Sequence, residues 1–452
     1  MAIGLANFPY FRRRPLCRLN QIKLQLERQP VTGKRFRSAS RNHRRESFIS
    51  SLFRVASLTR MIGRFAPAYL MSAFYAIAFF VNGVLTPFFP VLLQVKGLSG
   101  EQIAFVLATP QVMRMFTMPV VSGLSDRARD RRFVMAGLIG LTLGFSMLFG
   151  IAKGDLAVMA VGSILLVLSY CVGPLADAFA MIMDRHGLGE YGKMRLWGSA
   201  SFILGNIVGG YAMEHSGSTA VYFLVLFGFA IAMSSTVAIP PAPPTTTHAS
   251  AAALTVLRKP AFLAVLLGHA VNQAGHAALY SFGTILWRAN GFSDFTIGIF
   301  WAVGVIAEII LFSQAGRMFR VVSPLKLMAG GAVIGCLRWL LFSLDLPLLP
   351  TLMLQMMHAG SFALAHIGLM RFLREVVPTE RAASAQGTFV IFNGLAMALG
   401  TALAGRLVPT LGSDTYVVMS VFPILGLIIL TAAGGGARRL PAHDATTTVT
   451  PA

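Results

Sequence analysis

Four ionisable side chains interrupt long apolar segments of the chain: Arg114, Asp177, Glu308 and Arg338. If these segments cross a membrane, each such charge costs at least about 2.5–3.5 kcal/mol on insertion scales. A charged side chain that is present in a membrane segment despite this cost is a functional candidate. A carboxyl group in such a segment can transfer a proton, and a guanidinium group can bind an anion. Which of these reactions is possible depends on how the segments position the side chains.

Glu308 is the leading candidate for proton coupling. It lies roughly 12 Å from the cytoplasmic end of its predicted helix, and Trp301 shares its helical face. A carboxyl group in apolar surroundings can exist in its neutral form, which suits reversible protonation. The alternative is a structural partner of an intramembrane arginine. Arg338 is a poor direct partner, because it lies roughly 21 Å from the same side.

Histidine and glutamine residues form two polar stripes in the second half of the chain. His269, Gln273 and His276 recur on one face of a predicted helix, and His358 and His366 recur on another. Histidine can bind a substrate or relay protons. Gln273, His276, His358, His366 and Arg338 are therefore substrate-binding candidates. The alternative is that these side chains hydrogen-bond to neighbouring helices and hold them together.

Arg114 is a further substrate-binding candidate, since a guanidinium group matches a carboxylate with two parallel hydrogen bonds. The alternative is a salt bridge to Asp177, which lies at a similar depth. We expect Asp177 to stabilise a helix pair or a loop region. Lys193 and Arg195 begin the fifth apolar segment, and we interpret both as cytoplasmic topology anchors.

Twelve apolar segments are long enough to cross a membrane, which needs about 20 residues. A Pro- and Thr-rich break over 240–260 separates them six and six. We number them span 1 to span 12, in the order 66–94, 100–124, 133–152, 156–183, 194–213, 218–239, 261–288, 295–316, 324–344, 347–373, 382–408 and 415–433.

The charge of the chain supports this topology. The 452 residues include 38 Lys and Arg against 17 Asp and Glu, a net charge of +21, yet only 12% are charged. A soluble domain carries about 25%, so an ordinary soluble enzyme is excluded. If both termini are cytoplasmic, 18 basic residues beyond the leader face the cytoplasm and four face the other side. The positive charge therefore indicates membrane topology and not a surface for nucleic acid.

Residues 1–60 form a basic leader with 14 Lys and Arg against two acids. An organellar transit peptide, a polybasic tail on an anionic leaflet, and translation from Met61 are the competing interpretations. The predicted organisation is this leader, an N-terminal bundle over 61–239, a cytoplasmic linker over 240–260, a C-terminal bundle over 261–437 and a tail over 438–452.

The connection after span 2 reads Gly123-Leu-Ser-Asp126-Arg127 and continues into further arginines. It resembles the loop signature of the major facilitator superfamily. That resemblance implies an all-α membrane protein with twelve transmembrane helices in two six-helix bundles. It also implies structural or gating roles for Gly123, Asp126 and Arg127, to which we add Asp177 and Arg195.

A closer resemblance covers almost the whole chain after residue 65. It is to the phenylpropionate permease branch, which is related to nucleoside–proton symporters. The strings that carry it are Pro174-Leu-Ala-Asp177, Tyr191-Gly-Lys193-Met-Arg195-Leu-Trp197-Gly198, Gln273-Ala-Gly-His276, Trp301 to Glu308, Arg338-Trp339 and His358 to His366.

The predicted function is proton-coupled symport of a small organic carboxylate, aromatic acids included, by alternating access. The alternatives are a nucleoside or sugar–proton symporter of the same fold, and a membrane sensor that does not transport. No catalytic, phosphate-binding or metal-binding motif occurs in a fitting context, so we expect neither an enzyme nor a cofactor. The expected partners are a small-molecule substrate, protons and the lipid bilayer, without nucleic acid. We expect a monomer in the inner (cytoplasmic) membrane, with both termini cytoplasmic.

Overall fold

The computed structural model describes residues 39–241, 259–378, 381–437 and 440, with side chains from residue 67 onward. Every regular element in these ranges is helical. Contacts divide the chain into two units, Met1–Ala66 and Pro67–Ala452. The second unit carries all twelve spans. The predicted leader falls largely outside the described residues, although the backbone of residues 39–60 is helical, and most of the predicted linker and tail falls outside them too.

The helices follow the predicted spans closely. The first helix, Ala39–Val95, includes span 1 as its segment Pro67–Val95. The others in the first half are Gly100–Arg127 (span 2), Arg131–Ile151 (span 3), Asp155–Arg185 (span 4) and Tyr191–Ala238 (spans 5 and 6). The second half contains Pro260–Ala274 and Ala277–Ala289 (span 7), Asp294–Met318 (span 8), Pro324–Phe342 (span 9), Leu348–Met356, Ala359–Leu364 and Ala365–Val376 (span 10), Ala382–Leu411 (span 11), and Thr415–Met419 with Val421–Ala437 (span 12).

Nine helices in the described part are long and apolar enough to cross a membrane. Two of these stretches, Tyr191–Ala238 and Ser384–Ala437, are 48 and 54 residues long and each holds two spans. The first reverses at Gly217, whose φ of 72° is left-handed, and the second joins the separate helices of spans 11 and 12. Span 7 is missing from the nine because it is broken into two short helices. The described residues therefore contain all twelve predicted spans.

Two spans depart from the regular helices that the sequence predicts. Span 7 breaks at Gly275, where an added Cβ would lie 2.8 Å from Trp339 Nε1 and 3.1 Å from Pro423 Cδ. Span 10 widens into a π-helix over Ala359–Leu364. Such local widening is frequent at functional sites, and both departures lie in the C-terminal bundle.

The antiparallel spans give the unit two ends. We call distal the end that carries the connections 96–99, 152–154, 290–293, 343–347 and 412–414, and terminal the opposite end. At the distal end Ser99 begins span 2 with a capping box that includes Gln102, and Ser293 caps span 8. Asp130 caps span 3 at the terminal end. Polar capping residues thus fix where several spans begin.

Close packing of small residues joins the two bundles toward the distal end. A Cβ on Gly298 of span 8 would lie 2.5 Å from the carbonyl oxygen of Asn206 on span 5. A Cβ on Gly405 of span 11 would lie 2.3 Å from the Cβ of Ala104 on span 2. Backbones approach this closely only where a side chain is absent or small. By contrast, no atom lies within 4 Å of a Cβ built on Gly123, Gly316 or Gly387, nearer the terminal end.

We expect Gly298→Leu to destabilise the protein, because the added side chain must push span 8 away from the backbone of span 5. Overpacking of this kind typically costs about 1–3 kcal/mol. Thermal unfolding of the purified protein in detergent should show a lower midpoint. Gly144→Leu is the control, since nothing lies within 4 Å of a Cβ at that position. Equal midpoints for the two variants would contradict the close packing of spans 5 and 8.

Candidate functional site

Glu308 lies in the interior of the C-terminal bundle and is only 2% exposed. Its Oε2 atom lies 3.5 Å from Nε2 of His358 on span 10. Its Oε1 atom is buried without a hydrogen-bond partner among the described residues. The carboxyl group therefore faces a group that is charged only when protonated, and no arginine or lysine that the structure describes forms an ion pair with it.

Arg338 on span 9 is fully buried beside this pair, but its hydrogen bonds go to span 10. Nε donates to the carbonyl oxygen of Leu354 at 2.8 Å, Nη2 to Oε1 of Gln355 at 2.6 Å, and Nη1 to Oγ of Ser361 at 3.2 Å. Nη1 also lies 3.4 Å from Nδ1 of His358. Arg338 thus stabilises the region around His358 and reaches Glu308 only through that histidine.

His276 connects span 7 to the same cluster. Its Nε2 lies 3.2 Å from Oγ of Ser361, and its Nδ1 lies 3.2 Å from the carbonyl oxygen of Gln273. The side-chain Oε1 of Gln273 is buried without a partner among the described residues. The break after Gly275 places His276 at the start of the second helix of span 7, so the irregular backbone brings the ring to Ser361.

Aromatic rings cover one side of the cluster. Tyr280 stacks on His276 with ring centroids 5.8 Å apart and on Trp301 at 6.1 Å. The indole Nε1–H of Trp301 donates to Oγ1 of Thr284 at 3.1 Å, which fixes that ring. The result is an aromatic wall, made of Tyr280 and Trp301, next to the Glu308–His358 pair.

Sequence reasoning missed several polar members of this cluster. Gln355 and Ser361 contact Arg338 from positions three residues before and after His358. Residues three apart lie on one helical face, so the spacing around His358 was a usable signal. Tyr280 follows His276 by four residues and could have been placed by the same rule.

His366 and His269 form a second histidine pair on the terminal side of the cluster. Their ring centroids are 6.4 Å apart. His269 is fully buried, and neither ring nitrogen has a hydrogen-bond partner in the described part of the chain. His366 is 8% exposed and stacks on Phe362 at 6.0 Å. The predicted stripes on spans 7 and 10 thus face each other at two levels.

Arg114 on span 2 lacks an acidic partner among the described residues. Its Nε is buried without a hydrogen bond. The ionisable side chains of Tyr170 and Cys171 on span 4 lie near its guanidinium group. The alternative of a salt bridge to Asp177 does not hold, because similar depth does not put two side chains on facing sides of their helices.

Asp177 instead pairs with Arg195. The Tyr75 hydroxyl donates to Oδ1 of Asp177 at 2.7 Å, and Arg195 Nε lies 3.4 Å from the same oxygen. The guanidinium carbon of Arg195 lies 4.0 Å from the centroid of the Phe79 ring. This arrangement joins spans 1, 4 and 5. The anchor interpretation fits Lys193, which is exposed and pairs with Glu190 at 2.8 Å, but not the buried Arg195.

The connection after span 2 is held by local ion pairs. Asp126 accepts from Nη2 of Arg131 at 3.0 Å, and Asp130 pairs with Arg132 at 2.6 Å. Hydrogen bonds from Arg132 lower the pKa of the Asp130 carboxyl group. Asp130, and not Asp126, caps the N-terminus of span 3, where its side chain accepts from the backbone N–H of Arg132. Arg127 ends span 2.

We expect Asp177→Asn to destabilise the protein by about 3 kcal/mol, because removing one partner leaves the buried Arg195 without its counter-charge. Thermal unfolding in detergent should show the loss, and the double variant Asp177→Asn/Arg195→Gln should recover most of it. Lys193→Gln, in the exposed pair, serves as the control. A loss no larger than that of the control would show that the Asp177–Arg195 pair is not needed for stability.

No cluster of three or more metal-ligating side chains occurs among the described residues. The polar groups that the spans bring together are therefore a carboxyl group, histidines and arginines, whose chemistry is proton transfer and anion recognition.

The sequence comparisons agree with this arrangement. The sequence model of the MFS_1 like family matches residues 69–417. A probable 3-phenylpropionic acid transporter of Escherichia coli (strain K12) is 29% identical over 370 residues, which cover 78% of this chain and 95% of the relative. The maltose permease of Geobacillus stearothermophilus is 24% identical over 367 residues, which cover 79% and 92%.

Solved structures show the same architecture. The crystal structure of the nucleoside transporter NupG superposes with a TM-score of 0.68 at 17% identity, over 82% of this chain and 99% of that one. The predicted fold class, all-α with two six-helix bundles, is confirmed, and so is the expectation that the protein is not an enzyme. The chain belongs to the MFS_1 like family and is a multi-pass membrane transporter of the major facilitator type, similar to the phenylpropionate permease branch.

Proposed function

We propose that this transporter couples protons to the uptake of a small organic carboxylate by alternating access, with Glu308 as the coupling group. One observation carries the proposal. The buried carboxyl group of Glu308 has a histidine as its partner, at 3.5 Å, and the described part of the chain supplies no lysine or arginine to it. Paired with a fixed cation, it would stay ionised. Beside a histidine, it can gain and lose a proton as its surroundings change.

Arg338 supports this role without taking part in it directly. Its hydrogen bonds to Leu354, Gln355 and Ser361 occupy all three nitrogens. These bonds use three of its five N–H groups and hold the fully buried side chain against span 10, away from a substrate carboxylate. We assign Arg338 to positioning His358, whose Nδ1 it approaches at 3.4 Å. This assignment replaces its role as a substrate-binding candidate.

Arg114 is the better receptor for a carboxylate. Its guanidinium group has no acidic partner among the described residues, and a buried donor without a partner is costly. A substrate carboxylate would supply the missing acceptors with two parallel hydrogen bonds. Arg114 belongs to the N-terminal bundle and Glu308 to the C-terminal one, so a substrate between them would contact both halves.

The aromatic wall favours a substrate with an aromatic ring. Tyr280 and Trp301 present stacked faces beside the coupling pair, where a phenyl group can pack offset or edge-on. The relative described as a probable 3-phenylpropionic acid transporter supports the same substrate class. His276 stacks on Tyr280 of this wall, and Gln273 lies beside His276 on span 7. Both side chains can hydrogen-bond to polar groups of the substrate.

The proposed cycle uses the packing between the bundles. In this conformation Gly298 and Gly405 bring the distal ends together. We place the distal end outside the cell and both termini in the cytoplasm, which suits the excess of basic residues at the terminal end. Gly123, Asp126 and Arg127 then lie at the cytoplasmic ends of the rocking helices. The carrier works as a monomer in the cytoplasmic membrane.

We expect Glu308→Gln to abolish accumulation of substrate against a gradient while sparing exchange of substrate across the membrane. Glutamine keeps the size and polarity of the side chain but cannot exchange a proton. Proteoliposomes loaded with unlabelled 3-phenylpropionate and given the labelled compound outside measure exchange, and an imposed pH gradient measures accumulation. Retained accumulation by the variant would remove Glu308 from the mechanism.

Arg114→Gln should raise the KM for an organic carboxylate by at least about tenfold, because a hydrogen bond to a charged group contributes about 1.5–3 kcal/mol. The variant should also lose the preference for the acid over its uncharged amide analogue. Arg406→Gln is a suitable control, since that arginine is exposed at the distal end and pairs with Glu101. An unchanged preference for the acid would show that Arg114 does not recognise the carboxylate.

A further inference from the structure

Three rings form a column along span 10 beside Glu308. His358 stacks on Phe362 with centroids 5.1 Å apart and an interplanar angle of 15°. Phe362 stacks on His366 at 6.0 Å and 4°. The π-helix over Ala359–Leu364 contains Phe362 and separates the two histidines in the chain. The column therefore has an ionisable ring at each end and an apolar ring between them.

Span 8 contacts both ends of this column. Oε2 of Glu308 lies 3.5 Å from His358, and the ring of Phe312, one turn after Glu308, packs edge-on against His366 with centroids 6.2 Å apart. Phe362 has no group that can carry a proton, so it separates the two histidines along the column. Glu308 is the carboxyl group that span 8 presents beside the column.

The two histidines differ in their charged surroundings. His358 lies 3.4 Å from the guanidinium group of Arg338, which opposes a second positive charge there. Among the described residues, no lysine or arginine pairs with His366. Span 8 contacts it through Phe312, one turn after Glu308, and span 7 through His269, while the described side chains of spans 11 and 12 bring no ionisable group into contact with it. The next cation along span 10, Arg371, donates to backbone carbonyl groups and pairs with Glu375.

His269 on span 7 lies beside His366, and its ring nitrogens have no hydrogen-bond partner in the described part of the chain. The side chain of His269 is fully buried. Phe389 packs on it at 5.4 Å. The 6.4 Å between the imidazole centroids of His269 and His366 is too long for a direct hydrogen bond. One water molecule between them would satisfy a nitrogen on each ring.

We propose that His366, supported by His269, is a second proton-carrying group that takes the proton from Glu308 towards the terminal end. In this step the O–H bond of Glu308 breaks, a bridging water passes the proton on, and an N–H bond forms on His366, which leaves a carboxylate and an imidazolium. The imidazolium then gives its proton to water at the terminal end. The inference rests on the proposed proton coupling, and it gives His366 a transfer role in place of substrate binding.

The test uses the full chain in proteoliposomes that contain a pH-sensitive dye. The labelled substrate is 3-phenylpropionate, as in the experiment on Glu308→Gln. Two quantities are measured for each variant: exchange of substrate, and proton movement during net substrate transport. The variants are His366→Gln, His366→Leu and His269→Leu. The control is Asn272→Leu, because Asn272 is also buried and unpartnered on span 7 but faces Gly335 and Gly426 of spans 9 and 12.

Both His366 variants should keep exchange within about twofold of the wild type and lose proton movement by at least about tenfold, since a positioned proton acceptor typically contributes about 10²–10⁴ in rate. His269→Leu should show a smaller loss, and Asn272→Leu none. His366→Gln keeps a polar side chain, so its recovery of proton movement would overturn the proposal in favour of a hydrogen-bonding role. Equal loss of exchange and proton movement would also overturn it, as a structural defect. If the wild type moves no protons, the proposed coupling itself fails.

Discussion

The carboxyl group of Glu308 is buried in the membrane-spanning part of the protein and meets an imidazole instead of a fixed cation. Water cannot solvate it there, so its charge depends on whether His358 and the substrate compensate it. The surrounding structure follows from this requirement. Arg338 holds span 10 through Leu354 and Gln355, so that His358 keeps its place beside the carboxyl group.

Each bundle contains one arginine whose guanidinium group pairs with or hydrogen-bonds to neighbouring side chains. Each bundle also contains one charged group that lacks such partners among the described residues. In the N-terminal bundle Arg195 is paired with Asp177, while Arg114 has no acidic partner among the described residues. In the C-terminal bundle Arg338 donates hydrogen bonds from all three nitrogens, while one oxygen of Glu308 has no partner among the described residues. The arginines with partners, Arg195 and Arg338, join helices within a bundle. The groups without full partners, Arg114 and Glu308, are the ones that can bind a substrate or a proton between the bundles.

The sequence predicted the twelve spans and the ionisable residues within them, because the length of an apolar segment and the presence of a charge inside it can both be seen in the sequence alone. It did not predict which side chains meet. Arg114 and Asp177 lie at similar depths, yet Asp177 pairs with Arg195, since helix rotation is set by packing. The break at Gly275 and the π-helix after His358 depend on contacts with Trp339, Pro423 and Ile334, which only the folded chain brings together.

The central claim is that movement of an organic carboxylate is tied to movement of a proton. The most direct test is uptake by the wild-type protein of a labelled panel, aromatic acids beside nucleosides and sugars, at two external pH values. Lowering the external pH should increase accumulation of an aromatic carboxylate, and an uncoupler should abolish the increase. Accumulation that does not depend on external pH, or that is confined to nucleosides or sugars, would contradict the account.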